Sequence, residues 1–182
     1  MVLQKQIIET VPNFKYLGVR LNYDASWKHQ IKSAELSGKK ATRALSPFFH
    51  KFSALKLSFF LKIFDASVVP AILYGSEIWG AYDVRFSDNL NRPANMFYRM
   101  ILGLPQSSPV AGLHLELKRL RIHELATIRS ISYWLRLSNT NENRLLSKAF
   151  HMQVQWANSG ASCWGKGIKD AVDKLGFSYV WS

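Results

Sequence analysis

Residues that could carry catalysis are few and widely spaced in this chain. The 12 Asp and Glu side chains are scattered along 182 residues, and no tight pair stands where two-metal phosphoryl transfer would need paired carboxylates. Asp170 and Asp173 are predicted on an exposed helix surface near Lys169 and Lys174, where a solvated charge is the simpler interpretation. We therefore expect no catalytic residue and no complete active site in this chain.

Metal and thiol chemistry have equally little support. His114, Glu116, His123 and Glu124 lie close in sequence, but their spacing matches no two-histidine ligand pattern on a helix. We predict helix-terminal or core histidines there, and no bound metal or cofactor. Cys163 is the single cysteine, so it can form neither an internal disulfide nor a four-cysteine zinc site, and a reducing compartment is the simpler assumption.

The basic residues show more organisation than the acidic ones. Lys and Arg number 24 against 12 acidic residues, which gives a net charge of +12 and a pI near 10. Such an excess favours polyanionic partners, with nucleic acid as the leading class and an anionic membrane surface second.

One predicted helix, from Trp27 to about Leu45, concentrates this charge. Its cations Lys28, Lys32, Lys39 and Arg43 fall within about 60° of one another at 100° per residue. Lys40 adds to the positive side, and Glu35 is the only acid between Lys28 and Lys62. The opposite side carries the apolar set Trp27, Ile31, Ala34, Ala41 and Leu45. We interpret the cations as phosphate contacts; a solvated surface helix is the alternative.

A second basic set is interrupted by Glu116 and Glu124 and is weaker evidence for such contacts. Its members are Lys118, Arg119, Arg121, Arg129 and Arg136.

The elements that must position these residues are mostly helical. The segment Phe14–Leu21 is aromatic and β-branched and is predicted as a strand, and Asp24 or Ser26 is a candidate N-cap for the following helix. Later helices are predicted from Ser53 to a kink or end at Pro70, over 71–79, from Ser87 to Gly103, and over 109–117, 123–137, 142–157 and 165–175. The most apolar stretch, 57–80, contains Lys62, Asp65 and Glu77, so it reads as a buried helix and no membrane span is expected. The fold class is mainly α, a helical bundle with a short N-terminal β element.

Three segments occur in an order and spacing that resemble landmarks of a known family. They are Phe14-Lys15-Tyr16-Leu17-Gly18-Val19, then Val68-Val69-Pro70-Ala71-Ile72-Leu73-Tyr74-Gly75-Ser76-Glu77-Ile78-Trp79-Gly80, then Phe97-Tyr98-Arg99-Met100-Ile101-Leu102-Gly103. Together they resemble the reverse transcriptases of LINE-type (non-LTR) retrotransposons, over about residues 14–137. The first is similar to the primer-grip hairpin that follows the catalytic palm strands, and the others are similar to the helical thumb.

This resemblance implies a domain order and a set of contacts. Residues 1–24 would end the palm, 25–138 would form a thumb-like helical domain, and 139–182 would be a helical extension of unassigned role. Tyr16, Leu17 and Gly18 would form the turn near the primer end, and the cations of the first helix would contact the phosphates of an RNA–DNA hybrid or another duplex. Tyr74, Gly75, Pro70 and Trp79 would be architectural.

The same resemblance places the catalytic centre elsewhere. In the family, the aspartates that hold two Mg²⁺ ions lie upstream in the palm, and no Asp-Asp pair occurs in this sequence. The palm and fingers of the parent polymerase, which are missing here, would be partners of this chain. Its location would be intracellular and nuclear. Polymerase activity is not expected from this chain alone.

Two other interpretations remain open at the level of sequence. The chain could be a non-functional or repurposed retroelement remnant that forms a helical protein-interaction module through its aromatic faces, since it contains 6 Trp and 11 Phe. Alternatively, the basic helix from Trp27 to Arg43 could bind anionic lipid.

Overall fold

The structure is a computed structural model that describes residues 2–3, 6–7, 11–52, 55–81, 87–141 and 145–181. Within these ranges the chain forms eight α-helices and two short pairs of antiparallel strands near the N-terminus. The predicted fold class, mainly α with a short N-terminal β element, is confirmed.

The strands precede all the helices. The strands are β1 (Val2–Leu3), β2 (Gln6–Ile7), β3 (Asn13–Tyr16) and β4 (Val19–Asn22). The helices are α1 (Lys28–Lys51), α2 (Leu57–Ile72), α3 (Ser76–Trp79), α4 (Ser87–Leu102), α5 (Val110–Glu116), α6 (Ile122–Ser138), α7 (Leu145–Asn158) and α8 (Trp164–Lys174). A short 3₁₀ turn, Ser178–Val180, follows α8.

The predicted single strand Phe14–Leu21 is two strands joined by a tight turn. Strands β3 and β4 pair antiparallel, with Tyr16 opposite Val19 and Phe14 opposite Leu21. Leu17 and Gly18 form the two-residue loop and both have positive φ, 46° and 88°, which is typical of the turns that match strand twist in hairpins. The hairpin implied by the resemblance is therefore present.

Helix α1 is longer than predicted and begins differently. It continues past Leu45 and Pro47 to Lys51, because its last turns pack aromatic rings on α2, where Phe49 lies 4.9 Å from Phe60 between ring centroids. No side chain caps its N-terminus: the Asp24 carboxylate instead accepts a 3.0 Å hydrogen bond from the Ser26 backbone N–H. The predicted cap was wrong because Asp24 is used in the turn before the helix.

The break in the second helical stretch also lies elsewhere. Helix α2 passes Pro70 and ends at Ile72, and α3 begins only after Gly75, which adopts a φ of 68°. Burial of Val68 and Ile72 on either side of Pro70 keeps this segment helical despite the lost hydrogen bond. The predicted helix starts at Ser53 and at 142 lie outside the described residues.

The larger hydrophobic core lies between α1, α2 and α4 and extends to α3, α5 and the start of α6. Phe64 of α2 and Phe97 of α4 stack at 4.6 Å between ring centroids at its centre. The spacing prediction for α1 is confirmed, since Ile31 and Ala34 are buried in this core.

A smaller aromatic core joins the end of α6 to α7, α8 and the C-terminal segment. Trp134 packs against Phe150 and stacks on Trp181 at 4.5 Å between ring centroids. Helix α6 thus contributes Ile122 and Ala126 to the first core and Trp134 to the second. Across the described ranges, no helix is long and apolar enough to span a membrane.

Candidate nucleic-acid interface

Helix α1 carries cations that the fold leaves open to solvent, and four of them lie between residues 28 and 43. Lys28, Lys32, Lys40 and Arg43 are all exposed, and within the described part of the chain none of them forms an ion pair. At 1.5 Å rise per residue, Lys28 and Arg43 lie about 22 Å apart along the helix axis. We refer to these four residues as the α1 cation face.

Lys39, the fifth cation predicted for this surface, has a different environment. Its ammonium lies 2.6 Å from the Glu35 carboxylate, and Glu35 is itself buried, with 7% of its surface exposed. Lys39 is half-buried, so part of its charge is committed to the fold. The structure thus separates Lys39 from the four exposed cations.

Glu35 also binds an arginine that sequence reasoning missed. Arg92 of α4 places its Nη1 3.3 Å from Glu35 Oε1. Burial alone would raise the pKa of Glu35, but hydrogen bonds from Lys39 and Arg92 outweigh it and hold that pKa below its usual value. Two cations against one carboxylate leave this cluster positive at neutral pH, and no sequence pattern links residues 57 positions apart.

The hairpin that contains Tyr16, Leu17 and Gly18 is attached to the first turn of α1. The Arg20 backbone N–H donates a 2.8 Å hydrogen bond to Gln30 Oε1, and Gln30 is buried. Asn22 Nδ2 donates to the Ser26 carbonyl oxygen at 2.7 Å and so orders the connection between β4 and α1. The hairpin and the N-terminal end of the α1 cation face are therefore held in a fixed relationship.

Tyr74 supports the turn of the hairpin from the other side. Its hydroxyl donates a 2.8 Å hydrogen bond to the Leu17 carbonyl oxygen. A Cβ at Gly18 would lie 2.7 Å from Tyr74 Cε1, and a Cβ at Gly75 would lie 2.7 Å from Val19 Cγ2. The Tyr-Leu-Gly and Tyr-Gly segments, 57 residues apart, thus contact each other, and both glycines are needed for the close approach.

The two faces of the hairpin differ in chemistry. Lys15 and Arg20 are directly opposite each other across the strands, and within the described part of the chain neither forms an ion pair. Like charges in this position destabilise a hairpin unless an anion lies near them. The other face carries Phe14, Tyr16 and Leu21, which are all exposed, while the turn residue Leu17 is 75% exposed.

The second basic set does not form a surface. Arg119 is paired with Asp65 of α2, Arg129 donates to the Leu73 carbonyl oxygen at 3.3 Å, and Arg136 lies over the Tyr133 ring. Arg121 is the N-cap of α6, and its backbone N–H donates to Glu124 at 2.8 Å. Arg119 and Arg129 therefore serve the fold, in contrast to the α1 cation face.

The histidines considered as metal ligands bind amides of α4 instead. His114 Nε2 lies 2.9 Å from Asn95 Oδ1, and His123 Nδ1 lies 3.0 Å from Asn91 Nδ2. Burial lowers the pKa of both rings below the ordinary histidine value. Over the residues that the structure describes, no group of three or more His, Cys, Asp or Glu side chains could hold a metal ion.

Comparisons with protein-family models, with curated proteins and with solved structures find no significant match to this chain. The resemblance to LINE-type reverse transcriptases stays a prediction from its motifs.

Proposed function

We propose that this chain is the post-palm and thumb portion of a LINE-type reverse transcriptase and binds the backbone of a template-primer duplex. The observation that carries the proposal is the α1 cation face, four exposed cations that form no ion pair among the described residues. Its helix is fixed to the hairpin in which Lys15 and Arg20 stand opposite each other. The first of the three motifs that resemble the family lies in this hairpin, and the second lies in the α2–α3 segment whose Tyr74 supports the turn.

The geometry suits contacts to phosphates better than contacts to bases. A row of cations over about 22 Å of helix can follow several consecutive phosphates of one strand. Such contacts position a duplex without reading its sequence, and the deep major groove of an A-like hybrid restricts base readout in any case. The expected ligand is therefore an RNA–DNA hybrid or a similar duplex of any sequence.

The turn of the hairpin is the second part of the proposed contact. Tyr16, Leu17 and Gly18 stand at its tip, and Leu17 projects its apolar side chain into solvent. By resemblance to the family, this turn lies near the primer end in the parent enzyme. That enzyme would supply the catalytic aspartates with their Mg²⁺ ions, together with the palm and the fingers. A nuclear location of the enzyme is also part of this proposal.

Titration of the chain against an RNA–DNA hybrid, duplex DNA and duplex RNA at several salt concentrations tests the proposal. Four phosphate contacts predict a slope of log K against log salt of about −3 to −4. Replacing the α1 cation face (Lys28, Lys32, Lys40 and Arg43) by Glu should abolish measurable binding and leave the helical circular dichroism unchanged.

A charge-matched control separates a local contact from the general effect of net charge. In the control variant, Glu replaces four exposed lysines that lie outside α1: Lys62, Lys118, Lys148 and Lys174. This variant has the same net charge as the α1 variant, and it should retain most of the affinity. Equal losses in the two variants would contradict the assignment of α1 as the contact surface.

A second candidate function is a protein-interaction module derived from a retroelement. The hairpin face with Phe14, Tyr16 and Leu21 is apolar and exposed, and the neighbouring Tyr23 is 81% exposed, which is typical of a surface that binds protein. In the parent enzyme this face would pack on the palm. Binding to duplexes that disappears well below physiological salt would favour this candidate over the first.

A further inference from the structure

Strand β3 forms an open edge of the hairpin. Strand β4 lies on one side of it, and the far edge of β4 is closed by α1, where Gln30 Oε1 accepts the Arg20 backbone N–H at 2.8 Å. In an antiparallel pair, consecutive residues direct their backbone groups alternately toward the neighbouring strand and away from it. Arg20 directs its N–H away from β3, so Lys15, which is opposite Arg20, directs its own backbone groups away from β4. The same alternation applies to Asn13, two residues earlier on β3.

The backbone groups on this edge are available to a further strand. Within the described part of the chain, the N–H and C=O groups of Asn13 and Lys15 form no hydrogen bond outside the hairpin. Lys15 is exposed, so no other element covers the edge at this position. Edges of this kind are where an extended segment of another chain can add to a sheet through main-chain hydrogen bonds.

The side chains along this edge differ between the two faces of the hairpin. Lys15 lies on the same face as Arg20, and neither forms an ion pair with a described residue. Phe14 and Tyr16 lie on the other face, with 58% and 59% of their surfaces exposed. Because side chains alternate along a strand, a segment that pairs with β3 meets one cationic position between two aromatic ones.

We propose that β3 binds, as a third antiparallel strand, an extended segment of a partner protein in which carboxylate and apolar side chains alternate. A carboxylate opposite Lys15 supplies the anion that the Lys15–Arg20 pair lacks, and the apolar residues before and after it pack on Phe14 and Tyr16. Antiparallel pairing is expected because a sheet with a solvated face suits antiparallel strands. This inference does not rest on the duplex contact at α1, and it specifies a partner for the hairpin.

Charge complementarity favours this partner over a second copy of the chain. Two β3 strands paired with each other would place both Lys15 side chains close together on one face of the joined sheet. Each copy also carries a net charge of +12, which opposes their approach. A lysine on an edge strand likewise disfavours pairing with an uncharged strand. An acidic segment is attracted both by the local cations and by the net charge of the protein.

Amide exchange of the whole chain, followed by NMR, tests the proposal. The probe is a synthetic peptide of about eight residues in which valine and glutamate alternate, and the control peptide has lysine in place of glutamate. The glutamate peptide should slow exchange most at Asn13 and Lys15, and less at Phe14 and Tyr16, whose N–H groups already face β4. No slowing at Lys15 with millimolar glutamate peptide, or equal slowing by the two peptides, would overturn the proposal.

A charge reversal at Lys15 should invert the preference between the two peptides. Lys15→Glu places a carboxylate opposite Arg20, and opposite charges across the strands support the hairpin, so this variant should fold. It should bind the glutamate peptide about fivefold more weakly or worse, and it should bind the lysine peptide more tightly than the unmodified chain does. Lys62→Glu, at an exposed site on α2, changes the net charge equally and should have a smaller effect. Equal losses in the two variants would contradict binding at β3.

Methylation of the peptide backbone separates strand addition from simple attraction between charges. In the proposed register, each glutamate N–H of the peptide faces β3 and each valine N–H faces solvent. A peptide methylated at its glutamate nitrogens should therefore lose binding, while a peptide methylated at its valine nitrogens should retain most of it. Equal affinity of the two methylated peptides would contradict the added strand.

A separate titration with the RNA–DNA hybrid distinguishes this proposal from the duplex contact. The hybrid should shift amide resonances along the α1 cation face and leave exchange at Asn13 and Lys15 unchanged. If the hybrid shifts the amides of Lys15 and Arg20 and the glutamate peptide does not, these cations bind phosphate, and the proposal of a third strand is overturned.

Discussion

The Tyr74 hydroxyl and the Leu17 carbonyl oxygen form a 2.8 Å hydrogen bond between the α2–α3 connection and the hairpin turn. Leu17 has a φ of 46°, an uncommon conformation for a residue with a branched side chain. The bond therefore stabilises a turn that the local sequence alone would favour only weakly. It also connects two of the three segments that carry the resemblance to reverse transcriptases.

Removal of this hydroxyl should loosen the hairpin without unfolding the helices. Tyr74→Phe should lower the free energy of unfolding by about 0.5–1 kcal/mol, because the bond is solvent-exposed. Urea denaturation measures this change, and amide exchange of the hairpin should accelerate. Tyr23→Phe is the control, since this ring is 81% exposed. Equal effects of the two substitutions would show that the Tyr74 bond does not support the turn.

A side chain at Gly18 should be more damaging than the loss of the Tyr74 hydroxyl. Gly18→Ala requires a φ of 88° from a residue with a Cβ, and that Cβ would lie 2.7 Å from Tyr74 Cε1. We expect a loss of about 1–2 kcal/mol in the free energy of unfolding, measured by urea denaturation.

Gly112 provides a control at which the same substitution should raise the free energy of unfolding. It lies inside α5, and a Cβ there would meet no atom within 4 Å. Gly112→Ala should therefore increase the free energy of unfolding by about 0.5–1 kcal/mol. A stabilising Gly18→Ala would contradict the tight packing between the turn and Tyr74.

The helices with a strong periodicity of apolar residues could be predicted, because that pattern lies within a short stretch of sequence. Ile31 and Ala34 recur at helical spacing and are buried, and the pattern around Phe97 predicted α4 with nearly its observed bounds. The hairpin was different: the residues alone predicted one strand through Leu17, because the apolar run hides a turn that needs positive φ. Only the motif resemblance indicated that turn.

Contacts between distant segments could not be predicted. Glu35 and Arg92 meet across 57 positions, and Asp65 and Arg119 meet across 54. Neither pair follows from propensity or spacing, since packing of the helices alone brings them together. Lys39 differs from these pairs, because its partner Glu35 lies four residues earlier on the same helix, a spacing at which a Glu–Lys pair is expected. The burial of Glu35 against α4 is the part that this spacing does not predict.

The two α4-bound histidines predict how stability depends on pH. Burial lowers the pKa of His114 and His123 from 6.5, so the unfolded chain binds protons more readily than the folded one. Their stabilisation is fully present above about pH 6.5 and is lost as pH falls through their folded pKa values. Urea denaturation from about pH 8 to about pH 5 measures this loss. His114→Gln should reduce the pH dependence, and an unchanged pH dependence would contradict the assignment.

Glu35 offers the sharpest test of the basic surface, because its buried carboxylate lies on α1 among the cations of that surface. Glu35→Gln leaves Lys39 and Arg92 without a carboxylate partner, so it should lower stability, yet it adds one positive charge beside the α1 cation face. If duplexes bind there, affinity at low salt should rise roughly threefold. Glu116→Gln changes net charge equally at an exposed site on α5 and should have a smaller effect. Fluorescence-anisotropy titrations measure both affinities. If Glu35→Gln and Glu116→Gln increase the affinity for the duplex equally, the duplex binds elsewhere on the protein.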